Sequence, residues 1–239
     1  MLFRSFSPEE VVTEGLDGLR ERLTEYRELG AKFSKWRAVI IIGEDLPTPY
    51  AIKVNAHALA RYAALCQEAG IVPIVEPEVL MDGDHTLERC EEVTDETLQA
   101  VFAQLHAHRI RLEGMILKPN MVISGMKSPT RASAEQVAEA TVRCLKRNVP
   151  AAVPGIAFLS GGQSPEEATE HLSLMNQLGP LPWELSFSYG RALQAPVLDA
   201  WRGQPATFPA GQKAFFKRAK LNGLARSGRY AAALESAAA

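Results

Sequence analysis

Cysteine is scarce and scattered. Cys66, Cys90 and Cys144 are the only three in 239 residues. None forms a C-x-x-C pair, so neither a zinc knuckle nor a disulfide framework is implied. A reducing compartment suits them, and a cytoplasmic location is the expectation. No apolar run is long enough to span a bilayer, so no membrane partner is expected. Met1-Leu2-Phe3-Arg4-Ser5-Phe6-Ser7 has neither an extended apolar core nor a cleavage-like tail, so no signal peptide is expected. Neither sign of charge dominates: 26 Lys and Arg against 28 Asp and Glu leave a net −2, interspersed along the chain. Nucleic acid is offered no basic stripe. Histidines number five. His106 and His108 face different ways on a predicted helix. Asp82, Asp84 and His85 crowd a turn with no second histidine at ligand spacing, so neither a metal nor another cofactor is expected. What remains is an ordinary globular composition, 46% hydrophobic and 23% charged, in a chain long enough to bury a real core.

Short apolar runs alternate with longer helical stretches. Strands are predicted at Ala38–Ile42 (with Lys35-Trp36-Arg37 leading in), Val72–Glu78, Gly114–Asn120, Val153–Ser160 and Glu184–Tyr189. They read as apolar on both faces, as strands covered by helices do. Leu16, Leu19, Leu23, Tyr26 and Leu29 form a helical stripe that Gly30 can end. Thr48-Pro49 can open a helix that Gly70 closes. Asp95 is placed to cap a helix to about His108. Ser133 with Gln136, and Ser164 with Glu167, fit capping boxes. Gln212–Leu224 reads as a closing helix, and Ala231–Ala239 as an Ala-rich tail. This repeated β-α order predicts an α/β protein with a parallel sheet. Only five strands are apparent, where a closed (β/α)₈ barrel needs eight in about 250 residues.

Polar chemistry recurs near the strand ends. Glu76 and Glu78 are two apart and share a face, as do Lys35 and Arg37 if their segment is extended. Lys118 ends its strand. Ser160-Gly161-Gly162 precedes a helix start, and Ser188-Tyr189-Gly190-Arg191 follows the last strand. Taken singly, each has a plainer reading: loop carboxylates, a solvated rim, a snorkelling lysine, a tight turn. Taken together, they fit a site at the carboxyl ends of parallel strands. Backbone N–H groups at Ser160-Gly161-Gly162 and the donor fork of Arg191 suit an anion, and Arg37 could hold a second. A neighbouring cation and partial desolvation both favour the neutral, nucleophilic form of an amine, the role open to Lys118.

In order from about Gly15 to Tyr230, the segments KWRAVI, IVPIVEPEVLMDGDH, LEGMILKPNM, FLSGGQS and SFSYGRALQA closely resemble class I fructose-bisphosphate aldolase, the metal-independent Schiff-base lyase of glycolysis. The resemblance implies a parallel (β/α) TIM-barrel fold, with only the last five β/α units apparent here, in a family that is usually tetrameric. It implies reversible cleavage of fructose 1,6-bisphosphate to dihydroxyacetone phosphate and glyceraldehyde 3-phosphate. Lys118 matches the imine-forming lysine and Glu76 the general acid/base. Glu78 matches its carboxylate neighbour, and Lys35 a lysine beside the nucleophile. Arg37 matches a residue on the glyceraldehyde-phosphate side. Ser160, Gly161, Gly162, Ser188, Gly190 and Arg191 match the loops that grip the C1 phosphate.

The resemblance also implies one incomplete barrel domain over 1–239, with 1–14 a divergent leader and 231–239 the Ala-rich tail. Family members carry roughly a hundred further residues before the point matching Gly15, with three strands, an aspartate thought to act in C–C cleavage and another site lysine. The C-terminal tyrosine of many animal members is missing. Two alternatives stay open. One is a catalytically impaired remnant serving as an interaction or oligomerisation module, because an open sheet leaves two unpaired edges. The other is a misassigned start to a longer natural chain.

Overall fold

A computed structural model of the chain describes residues 2–4 and 9–237. The remainder of the expected leader and the last two residues of the expected tail lie outside the described residues. Two short strands, β1 (Leu2–Arg4) and β2 (Val11–Thr13), pair antiparallel. The sequence pattern predicts no strand in this leader.

The main sheet is parallel and runs β3 (Phe33–Ile40), β4 (Val72–Val79), β5 (Ile116–Leu117), β6 (Gly155–Phe158), β7 (Glu184–Phe187), in chain order. One helix fills each connection: α2 (Pro49–Glu68), α3 (Leu87–Ala107), α4 (Ala134–Asn148) and α5 (Pro165–Gln177). Helix α1 (Leu19–Glu28) precedes the sheet; α6 (Arg191–Trp201), α7 (Phe208–Ala225) and the short α8 (Leu234–Ala237) follow it. Strand order without reversal is the singly wound order of a (β/α) barrel; a doubly wound sheet would show a switch point. Five β/α units are present, so the sheet is open.

Helix starts follow the expected chemistry. Thr48 caps α2 by accepting from the Ala51 N–H, with Pro49 at the first helical position. Ser133 with Gln136 and Ser164 with Glu167 form complete capping boxes. Asp95 does not cap α3. That helix starts earlier, at Leu87 under the Thr86 cap, because the carboxyl group of Asp95 pairs across to Arg147 at 3.0 Å on α4. Helix α6 was not anticipated, since its Pro196 obscured the pattern.

The strand faces differ more than expected. On β3, Ser34 bonds Tyr62 Oη and Cys66 Sγ of α2 at 2.8 and 3.1 Å, and Trp36 packs on Tyr62. Even-numbered residues of β3 therefore meet the helix layer. Odd-numbered Lys35 and Arg37 point to the other face. Val75 and Leu117, fully buried, line the helix side of β4 and β5. The sheet is thus apolar toward its helices and charged on its inner face.

The loops after β4 and β5 are fastened together. Gly125, Met126 and Lys127 donate backbone N–H bonds to His85, Met81 and Gly83 at 2.9, 2.7 and 2.9 Å. Any Cβ at Gly125 would stand 2.3 Å from the Gly83 carbonyl oxygen. Gly125→Ala is therefore expected to lower the urea unfolding free energy by about 1–3 kcal/mol, the ordinary cost of overpacking. A midpoint equal to that of the parent would show that the two loops do not depend on this contact.

Candidate active site

Register explains how residues far apart in sequence meet. Arg37 lies beside Glu76 in the β3–β4 ladder, and Leu117 beside Val75 in the β4–β5 ladder. The Lys118 N–H continues that ladder to the Val75 carbonyl at 2.8 Å. Lys118 therefore stands level with Glu76 on the inner face. Its Nζ is 3.1 Å from Glu76 Oε1, and Lys35 Nζ is 2.9 Å from Glu76 Oε2. One carboxylate bridges two ammonium groups. The Glu76 side chain is 4% exposed and that of Lys118 13%, against 41% for Lys35. Charge–charge attraction in this shielded setting is stronger than at an open surface.

Lys35 is not at a carboxyl end. It lies in the first half of β3, opposite Ile74, and reaches Glu76 by the length of its side chain. Arg37 sits two residues on and pairs with Glu78, whose bond holds the guanidinium above its ordinary range. Glu78 is buried, and Arg37 is half exposed. Three cations thus share two carboxylates on this face. The balance favours an anionic ligand.

Beside this cluster, the ends of β6 and β7 carry the remaining expected residues. The Leu159 N–H bonds the Pro119 carbonyl, and the Ser188 N–H the Phe158 carbonyl. Ser160 therefore directly follows the residue bonded to Pro119, and Ser188 stands beside Leu159. Ser160 is buried. Gly162 adopts φ +72°, the left-handed region where glycine is free of strain. Both glycines also make room for Met81: a Cβ at either Gly161 or Gly162 would stand 2.3 Å from a Met81 side-chain carbon. Gly190 is the N-cap of α6 and Arg191 its first residue. Arg191 is exposed, and its guanidinium has no hydrogen bond or ion pair among the described residues. Tyr189, by contrast, is structural. It is buried and donates its hydroxyl to the Ala168 carbonyl of α5 at 2.8 Å.

Several contributors carry no signal in the sequence. Asn120 is expected only to end a strand, yet its buried amide accepts from the Val79 N–H at 3.0 Å. It also donates to Thr94 Oγ1 and to the Met121 carbonyl at 3.2 and 3.1 Å. It ties the end of β4 to α3. His171, buried on α5, bonds Gln163 Oε1 through Nδ1 at 2.7 Å. No spacing signal marks either contact: Asn120 bonds Val79 and Thr94 from 41 and 26 residues away, and Gln163 meets His171 eight residues on, outside any helical or strand repeat. His85 is buried with neither ring nitrogen bonded. Among the described residues no cluster of three or more His, Cys, Asp or Glu comes together, and no helix is long and apolar enough to cross a membrane.

A sequence profile described as fructose-bisphosphate aldolase class-I matches residues 3–239. A probable fructose-bisphosphate aldolase class 1 from Xanthomonas campestris pv. campestris is 59% identical over 224 residues, covering 93% of this chain and 67% of the relative. The non-muscle fructose-bisphosphate aldolase of Lethenteron camtschaticum is 56% identical, covering 96% of this chain and 64% of its own length. Among solved structures, fructose-bisphosphate aldolase from Plasmodium falciparum superposes with a TM-score of 0.95 at 47% identity. That alignment covers 97% of this chain and 67% of the solved one. The chain spans about two thirds of the length of these relatives.

Burial pushes the His171 imidazole down to about 4. An unfolded chain takes up this proton near the ordinary value of 6.5, whereas the folded one holds out to lower pH. The stability due to neutral His171 is therefore complete above pH 6.5 and is lost as pH falls toward 4. Between pH 7 and pH 5 the loss from this group is about 2 kcal/mol. In His171→Asn, the urea midpoint is expected to fall less across that interval than in the parent. Parallel curves would rule the linkage out.

Proposed function

The chain belongs to the class-I fructose-bisphosphate aldolase family, and from that premise we propose that Lys118 is its imine-forming nucleophile, with Glu76 the proton carrier and Lys35 its partner. The reaction is the reversible cleavage of fructose 1,6-bisphosphate to dihydroxyacetone phosphate and glyceraldehyde 3-phosphate through a lysine Schiff base. One observation supports the assignment above the rest: Glu76 bridges Lys118 and Lys35 on the charged inner face.

The geometry lends each group a step. Attack on the C2 ketone needs an uncharged amine, and Glu76 Oε1 lies within reach of the Lys118 proton. Nζ then adds to C2 to give a carbinolamine. Glu76, now carrying a proton, returns it to the C2 hydroxyl, which leaves as water and yields the iminium. Lys35, held on the opposite oxygen of Glu76, fixes the carboxylate between these tasks. Glu76, a carboxylate again once water has left, takes the proton of the C4 hydroxyl as C3–C4 breaks, and the iminium draws in the released electron pair, forming the enamine and the free aldehyde.

Phosphate recognition falls to Ser160, Gly161, Gly162, Ser188, Gly190 and Arg191 at the ends of β6 and β7. Arg37, steadied by Glu78, serves the glyceraldehyde-phosphate side. Homo-oligomerisation in a cytoplasmic setting belongs to the same proposal, and light scattering of the purified chain tests the oligomer.

Borohydride reduction in the presence of dihydroxyacetone phosphate should leave a covalent adduct on Lys118, located by peptide mass spectrometry. Lys118→Ala should carry none, and an adduct on any other lysine instead would sink the assignment. Arg191→Ala should still be labelled but require more ligand for half-maximal labelling.

Glu76→Gln keeps the shape and removes the proton carrier. Its labelling rate at saturating ligand is expected to drop by about 10²- to 10⁴-fold, the usual contribution of general acid–base catalysis. An unchanged rate would assign that role elsewhere.

A further inference from the structure

The Ser160-Gly161-Gly162 turn is held from two sides. Met81, from the loop after β4, fills the space the two glycines leave open. Gln163 is the next residue along. Its N–H closes the turn onto the Ser160 carbonyl at 3.3 Å, and its side-chain oxygen meets His171 Nδ1 at 2.7 Å. The Gln163 Nε2 atom is buried with no bonded partner, so among the described residues the amide is oriented by His171 alone. His171 is itself fixed, buried one helical turn beyond Glu167, whose carboxylate closes the capping box with the Ser164 N–H at 2.8 Å. The contact therefore joins helix α5 to a turn residue whose side chain has no other hydrogen bond among the described residues.

We propose that His171 is a positioning residue for the phosphate turn: through Gln163 it holds the Ser160-Gly161-Gly162 amides in the geometry an anion needs. This rests on the reading of the turn as a phosphate site and assigns a residue remote from the ligand to its affinity. A backbone anion site works only when its N–H groups are already aimed, because reorientation on binding subtracts from affinity. Neutral imidazole donates from Nδ1 to the Gln163 carbonyl oxygen. An asparagine amide places a donor near the same point without a titrating ring, whereas leucine fills the space and supplies none.

The test is a titration of the full chain with inorganic phosphate, followed on the amide resonances of Gly161 and Gly162. His171→Leu is expected to raise the dissociation constant roughly three- to tenfold, the size of one lost neutral hydrogen bond. His171→Asn should restore most of the affinity. Gln163→Met should match His171→Leu, and the double variant should be no worse than either, since both break one link. Gln163 is only partly buried, so this variant serves if His171→Leu fails to fold.

Unchanged affinity in either single variant would overturn the proposal. So would an asparagine variant as weak as the leucine one, or phosphate that leaves both glycine amides unmoved. The readout needs no imine. A chain that binds phosphate at this turn yet stays unlabelled at Lys118 would remove the Schiff-base assignment and leave the role of His171 standing.

Discussion

A carboxylate withdrawn from water between two ammonium groups is the interaction on which this inner face depends. Alone, a buried Glu76 would be costly; with an ammonium group at each oxygen its charge is balanced. The arrangement requires three adjacent parallel strands in one register, so the chemistry is a property of the sheet and not of any segment of it. It also explains why the strands bear charge on one side only. The helix-facing side stays apolar and supplies the core, while the opposite side is reserved for polar groups.

Much of this was legible in the sequence. Both capping boxes, the Thr48-Pro49 helix start and all five main strands were readable because their signals are local: an oxygen three residues from the N–H it accepts, or a short apolar run. Glu76 with Glu78 and Lys35 with Arg37 could be placed on shared faces from two-residue spacing alone. Strand limits were less readable. Lys118 lies just beyond β5, whose ladder is only two residues long, and β3 begins five residues before its predicted start.

What stayed hidden depends on contacts between distant positions. Asp95 looked like a helix cap because acidic residues often open helices, but a partner 52 residues away claims it. Asn120 closed a predicted strand, and nothing nearby hinted that it bonds the Val79 backbone from across the sheet. The glycine pair was read for an approach of backbone to anion. The folded chain adds a second requirement that no local pattern carries, namely the thioether from another loop. Between α6 and α7, Trp201, Phe208, Phe215 and Phe216 line an apolar groove of about 580 Å³, with Phe208 and Phe216 more than half exposed.

The nesting of Met81 against Gly161 and Gly162 links side-chain volumes at three positions. Because the thioether occupies the space where two β-carbons would otherwise stand, bulk added at 161 must be matched by bulk removed at 81. At 162 the left-handed backbone permits no such exchange. Drift at these sites is therefore coupled in one case and closed in the other.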